Sequence, residues 1–461
     1  NSTIINKSFS NSNINVSGTA SYVGGFLGNT NNTTITDAYA TGAINVATSG
    51  STKVAGFVGN AYSAGTVITN AYSSGAVSAI GSTNISGFAG GVEASPTIAY
   101  SYWNTTTSLQ SVGAKQAFSN TTAVIPGLTG YSTSQMQILA NFTTPGWSPT
   151  TWTAVSSLNN SFPLFVDSVL YARSASGTSV YAATPAISYS FYDAATGGNL
   201  ISGIQTTGTP QWSILKNGLS SAATSLTTKA DVANYQLTYS NGLSTTNGAY
   251  FIAPGASQSW QITAAPLTVT ATQVTKSYDG NLNASGLSSV GTLAGASGGD
   301  VLNSSGIQSF LDKNAGIGIK VVRASGISIK DSLGADMTSN YNITYVDNTT
   351  STINPAALTV TASQVTKTYD GTLSASGSGV AGVLAGAAAG DVINSSGSQA
   401  FTDKNAGTGN KTVRASGVTI KDATNANMTG NYSISYVDNT TSTINPAALT
   451  VTASQVTKTY D

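Results

Sequence analysis

The stretch YVDNTTSTINPAALTVTASQVTKTYD, Tyr345 to Asp370, returns letter for letter at Tyr436 to Asp461. A looser copy, APLTVTATQVTKSYDG, runs from Ala265 to Gly280. Tyr278, Tyr369 and Tyr460 are 91 residues apart, and Asp300/Asp391, Arg323/Arg414 and Tyr341/Tyr432 keep the same offset. A long fixed period without insertions means an array of one folded unit. The last copy stops at Tyr460-Asp461, before the Gly that follows in the other two, and the chain opens at Asn1 without a Met. A piece of a longer protein is the expectation.

Inside the period the pattern is that of strands. Leu358, Val360 and Ala362 share one face, and Thr359, Thr361 and Ser363 the other. Val413 and Ala415, Val418 and Ile420, and Tyr432, Ile434 and Tyr436 continue the alternation. Asn354-Pro355 and Asn445-Pro446 mark the boundaries, where Pro ends a strand and stiffens the link.

Composition narrows the class. Charged residues are 7% of the 461-residue chain, against about a quarter in an average globular protein. The net charge is zero, so no basic footprint favours nucleic acid or an anionic membrane surface. Disorder would require high net charge and few aromatics, whereas 21 Tyr sit at repeated positions. A folded, polar, all-β chain of several domains is predicted. The absence of Cys rules out disulfides and thiolate chemistry. The absence of His removes the commonest general base and metal ligand. No apolar run approaches the roughly 20 residues of a membrane helix.

Toward the N-terminus a shorter period takes over. Gly25-Phe26-Leu27-Gly28, Gly56-Phe57-Val58-Gly59 and Gly87-Phe88-Ala89-Gly90 are spaced by 31. Each is followed by a small-aromatic-small step: Ala38-Tyr39-Ala40, Ala71-Tyr72-Ser73 and Ser101-Tyr102-Trp103, with Ser8-Phe9-Ser10 as the end of an earlier copy. Short strands with Gly or Asn corners at this spacing suit a β-solenoid, with one aromatic per repeat laddering along its core. These repeats resemble the GLUG motif of bacterial surface proteins. Ser101-Tyr102-Trp103-Asn104, Gly127-Leu128-Thr129 and Ser134-Gln135-Met136-Gln137 resemble the way such arrays close. With Trp147, Trp152 and Phe162-Pro163-Leu164-Phe165 they suggest a cap over 101–166, with one helical turn at Gln135 to Leu139.

Between 167 and 265, strands such as Ile187 to Tyr192, Tyr235 to Tyr239 and Trp260 to Thr263 alternate with Gly197-Gly198, Asn217-Gly218, Asn241-Gly242 and Asn247-Gly248 turns. That spells a β-sandwich module. Asp231 to Tyr235, Asp336 to Tyr341 and Asn427 to Tyr432 resemble the tyrosine corner of immunoglobulin-like sandwiches. The 91-residue units resemble the YDG-type repeat of filamentous-haemagglutinin-like bacterial adhesins. The likeness rests on Leu358-Thr359-Val360-Thr361-Ala362, Thr368-Tyr369-Asp370-Gly371, Ala389-Gly390-Asp391-Val392, Phe401 to Gly407 and Asn431-Tyr432. The module 167–265 resembles a relative lacking Tyr-Asp-Gly and Asp-Lys-Asn. The resemblance implies export to the bacterial surface and attachment.

The residues that could carry chemistry read as scaffold. Through residue 166 the only acids are Asp37 and Glu93, and the only bases Lys7, Lys53 and Lys115, so a polysaccharide-cutting site has too little to work with. Asp-Gly after each Tyr is a turn pair, and Asp312 to Gly316 and Asp403 to Gly407 recur once per copy as scaffold features do. Junction calcium would draw on Asp347, Asn348 and Asp370, then Asp438, Asn439 and Asp461, and no dense Asp-x-Asp run supports it. Sequons such as Asn104-Thr105-Thr106, Asn141-Phe142-Thr143 and Asn342-Ile343-Thr344 arise by chance in so Asn-rich a chain. A Lys–Asn isopeptide cross-link is conceivable in Cys-free surface sandwiches, and no spacing singles out its donor, acceptor and acid.

The expected order is a GLUG-repeat β-solenoid (parallel β-helix) at 1–100, its cap at 101–166 and a divergent β-sandwich at 167–265. YDG-type repeats at 266–354 and 355–445 and the start of a third at 446–461 complete it. Immunoglobulin-like sandwiches are the first expectation for the repeats. A β-grasp-like fold is the alternative, for which a long crossing helix would decide, and only Val383 to Val392 could supply even a short one. The functional expectation is a non-enzymatic stalk with a possible binding surface, part of a secreted or outer-membrane-associated adhesin meeting host-cell, abiotic or glycan surfaces. An array of glycan-binding modules, using Trp212 and Trp260, is the other binding reading, and a carbohydrate-active enzyme the third. No catalytic residue, cofactor or metal ligand is assigned.

Overall fold

A computed structural model describes residues 2–460 apart from 48, 49, 51, 52, 83, 120, 157, 224, 297 and 298. The chain is all-β, its helices being single turns. It divides into two compact units. One comprises 1–177, 186–225 and 234–261, the other 178–185, 226–233 and 262–461.

The first unit begins as a stack of parallel coils. Thr3–Ser10, Thr33–Ala40, Val67–Ser73, Ser101–Asn104 and Leu128–Tyr131 form one sheet. Three smaller sheets complete the coils, through Ile14–Val16, Ile44–Val46 and Val77–Ala79; Tyr22–Gly24, Lys53–Ala55 and Asn84–Ser86; and Leu27–Asn31, Val58–Tyr62, Ala89–Glu93 and Ala114–Gln116. Every pairing is parallel and joins equivalent residues of successive coils, as Val23 with Val54 and Tyr39 with Tyr72. The glycines of the 31-residue step permit this closeness: a Cβ at Gly56 would sit 2.3 Å from the carbonyl oxygen of Gly87. Residues 101–131 thus extend the stack.

Two aromatic ladders exist where one was expected. Phe26, Phe57 and Phe88 stack with centroids 4.9 and 4.7 Å apart, packed with Ile35, Ala38, Ala40 and Ile68 in the interior. Phe9, Tyr39 and Tyr72 form a second ladder, 5.0 and 5.1 Å apart, in a different cluster. Alternation explains the split. In Ala38-Tyr39-Ala40 the two alanines point inward, so the Tyr between them points out of the coil. There it is covered by Phe142, Trp147, Trp152, Phe162 and Phe165. The closing segment therefore lies along a side of the stack as well as extending its end. Its α-helical turns are Thr105–Ser108, Thr133–Met136, which starts from a Ser132/Gln135 capping box, and Ala140–Thr143, so the expected turn begins two residues before Gln135. Positive φ at Lys7, Asp37 and Asn70 stands two residues before each ladder residue, and at Tyr100 two residues before Tyr102, so Lys and Tyr join Asn in accepting that conformation.

Within 167–265 the strand Val169–Ser174 runs parallel to Phe251–Pro254 and antiparallel to Tyr189–Tyr192. Thr206–Lys216 pairs with Leu219–Ser221 and with Ala233–Thr245 on either side.

In the second unit each repeat is two facing sheets. In the first copy Ala265–Thr270 runs parallel to Tyr341–Val346, flanked by Ser289–Val290. The other sheet orders Thr275–Ser277, Asn348–Asn354, Gly316–Lys330, Val301–Phe310 and Asn283–Ala284. The second copy repeats this, with Ala356–Thr361 parallel to Tyr432–Val437. Leu358, Val360 and Ala362 are buried and Thr359 and Thr361 exposed, as their alternation requires. No long helix crosses either copy among the described residues. The stretch Val383 to Val392 holds one 3₁₀ turn, Ala387–Ala389, so the criterion for a β-grasp is not met. Residues 446–460, the start of the third copy, form no strand and are exposed. Its counterpart Ala356–Thr361 is paired with Tyr432–Val437 of its own copy.

Candidate functional site

The recurring motifs of the 91-residue period meet in three dimensions at the joint between copies. Asp391 closes the turn after Ala387–Ala389 and is 2% exposed. Its Oδ2 accepts hydrogen bonds from Tyr432 of its own copy and from Tyr278 of the preceding one, both 2.8 Å long. Tyr432 Oη in turn accepts the Gly386 amide at 3.0 Å, tying the ring to its own copy. The two rings meet edge to face at 5.5 Å, with the Met428 sulfur 4.0 Å from the Tyr278 hydroxyl. Beside them Asn431 donates to Asn314 Oδ1 at 3.0 Å and accepts the Ala315 amide at 2.8 Å.

Each sequence signature thus has its place. Tyr-Asp-Gly and Asp-Lys-Asn-Ala of one copy are the plug. Ala-Gly-Asp and Asn-Tyr of the next are the socket.

The same joint occurs one step earlier within this unit. Asp300 Oδ2 receives Tyr341 at 2.7 Å and Tyr181 at 2.8 Å, with Tyr181 edge-on to Tyr341 at 5.5 Å. Asn340 donates to Asp231 at 3.1 Å and accepts the Val232 amide at 2.9 Å. The sequence concealed this. One period before Tyr278 stands Ile187, and Tyr181 does the work instead. The tyrosine-corner resemblance identified Tyr341 and Tyr432 as anchors; their hydroxyls do hold backbone amides, at Gly295 and Gly386.

The joint is electrostatically quiet. Burial, followed by the hydrogen bond to Asp391, raises the Tyr432 hydroxyl to about 12, and the same causes at Asp300 raise Tyr341 to about 12. Tyr278 and Tyr181 are pushed up further by burial and the same bonds. These groups stay neutral donors at ordinary pH and serve as fasteners rather than acids or bases.

Several charges pair within each copy. Arg323 holds Asp347 through two bonds of 3.0 and 2.7 Å, and Arg414 holds Asp438 through 3.0 and 2.8 Å. Lys276 meets Asp279 at 2.7 Å and Lys367 meets Asp370 at 2.9 Å, holding the Asp370 carboxyl at about 2. Asp312 pairs with Lys320 and Asp403 with Lys411. The candidate calcium oxygens are therefore spent: Asp347, Asp370 and Asp438 face Arg or Lys, and Asn348 and Asn439 accept from Ser351 and Ser442. Asp461 lies outside the described residues. Among the described residues no group of three or more His, Cys, Asp or Glu could hold a metal.

In the coil stack Asp37 accepts the Trp152 indole at 3.0 Å and the Asn70 amide at 3.1 Å, a structural tie rather than half of an acid pair. Glu93 faces Lys53. Trp212 and Trp260 are 4% and 6% exposed, so the aromatics expected to offer a glycan platform are core residues. Asn104 of the first sequon is fully buried as a helix cap, and Asn141 donates to Gln135 O, while Asn342 is exposed. Among the described residues no helix is long and apolar enough to cross a membrane.

The YDG domain matches residues 263–351 and 354–442, giving a tandem of two. No curated protein and no solved structure matches the chain.

Proposed function

We propose that this chain is a non-enzymatic repeat region of a surface-exposed or secreted bacterial adhesin, a spacer that carries a binding region away from the cell. The supporting observation is the Tyr–Asp–Tyr joint, present at both Asp300 and Asp391. A scaffold whose recurring buried polar cluster fastens one copy to the next is suited to setting length. The resemblance of the N-terminal coils to GLUG repeats and of the YDG tandem to filamentous-haemagglutinin-like adhesins supports the surface location. A face of Thr, Ser and Asn with little charge would also hold its properties as salt changes.

The test duplicates 355–445 within the full chain and measures the maximum dimension by small-angle scattering. The spacer reading expects a fixed increment for each added copy, and added copies that collapse onto existing ones would refute it. Beads coated with the chain should then be retained on glycan, host-cell or abiotic surfaces through a portion outside the YDG tandem.

A further inference from the structure

Three side chains of the coil stack form a cluster that neither the spacer reading nor the core requires. Lys53 stands in the strand Lys53–Ala55, and its side chain is 7% exposed. Its Nζ lies 3.1 Å from Oδ1 of Asn60, a residue 2% exposed in the strand Val58–Tyr62. Glu93, from the next coil, places Oε2 3.7 Å from the same nitrogen. The amine is closer to the amide than to the carboxylate, the reverse of a plain buried ion pair. Rings of Tyr22 and Phe118 flank the amine at 5.0 and 5.3 Å.

Two neighbours prepare the amide. The Asn60 Nδ2 donates to Asn29 Oδ1 at 3.0 Å, which fixes which end of the amide faces Lys53. In the third coil the register position of Asn29 and Asn60 is taken by Gly91. A Cβ there would come 2.5 Å from Lys53 Cδ and 2.7 Å from Asn60 Oδ1. The Asn ladder is broken at the one place where a side chain would block the lysine.

We propose that Lys53 and Asn60 join in an intramolecular isopeptide bond, with Glu93 as the proton carrier. The Glu93 carboxylate takes a proton from the Lys53 ammonium, and the freed amine attacks Cγ of Asn60. The Nζ–Cγ bond forms. Glu93 returns its proton to Nδ2 and accepts the surplus proton of the attacking nitrogen. The Cγ–Nδ2 bond then breaks and ammonia leaves, taking the last proton as ammonium. No oxidant or cofactor is consumed. Burial of Lys53 and Asn60 limits competition from water, and the reacting groups are already held within contact distance.

Intact-mass measurement of the full chain tests this. The expected mass is that of the sequence less one ammonia, with trypsin unable to cut after Lys53. An Asn60→Asp variant should form the same bond with loss of one water instead. Glu93→Gln should keep the full sequence mass with an unchanged far-UV circular dichroism spectrum. A full mass in the folded wild-type protein, before and after incubation, with cleavage after Lys53 intact, would overturn the proposal. So would an ammonia deficit with Lys53 still cleavable, which marks a succinimide at an Asn.

Discussion

The coil stack and the YDG tandem are both repeats, yet they are held together by opposite rules. In the stack, like meets like: Phe57 lies on Phe26 and Phe88, and Tyr39 pairs with Tyr72. In the tandem, unlike meets unlike: Tyr278 of one copy reaches Asp391 of the next, 113 residues away, more than one full period. A ladder of identical residues shows its contacts in the sequence period itself. A plug-and-socket joint shows only that two motifs recur, and their partnership must come from the fold.

Perturbations can break or sharpen that contrast. Alkali acts on both regions at once and should have the largest effect. Unfolded tyrosine titrates near 10, whereas Tyr341, Tyr432 and Tyr102 hold their protons to about 12. The folded chain therefore binds more protons in this window. The stabilisation is complete below pH 10 and is lost as pH rises toward 12. Tyrosinate absorbance should rise together with loss of β circular dichroism, and free titration at 10 in a folded chain would refute the burial argument.

Phe57→Ala separates the regions. It removes the middle ring of a buried stack and should cost about 4 kcal/mol. By hydrogen exchange, the loss of protection should be confined to the coils. Asp391→Ala should cost about 3 kcal/mol, because two buried hydroxyls lose their shared acceptor, and should loosen both YDG copies together. Protection lost in one copy alone would show that the joint does not couple them.

The subtlest comparison uses one motif twice. Tyr278 is 1% exposed and Tyr369, its equivalent, 40%. Tyr278→Phe should cost about 1 kcal/mol, and Tyr369→Phe should leave the denaturation midpoint unchanged. Equal costs would mean that the Tyr serves its own copy rather than the next.

The two periods, the all-β class and the inward face of Leu358, Val360 and Ala362 were legible because strand alternation and repeat spacing are local properties. The orientation of Tyr39 was not: one aromatic per repeat was expected along the core, whereas this ring points out of the coil, under a cover of Trp147 and Trp152 from a later part of the chain. Tyr181 was invisible for a related reason. It lies six residues from the position the period assigns, and only the fold brings it to Asp300. Trp212 and Trp260 misled because composition cannot distinguish a core ring from a platform. Lys53, Asn60 and Glu93 share no motif, and parallel stacking alone makes them neighbours.

The joint also has a direction. Its two faces differ, one offering a ring and the other a carboxylate, so a copy cannot pair with itself by a twofold axis and can always be followed by another in the same sense. Such an array can gain or lose members by duplicating or deleting a whole period of its gene. Each change leaves the same two faces to meet, so length can drift within a population without any surface having to be reinvented.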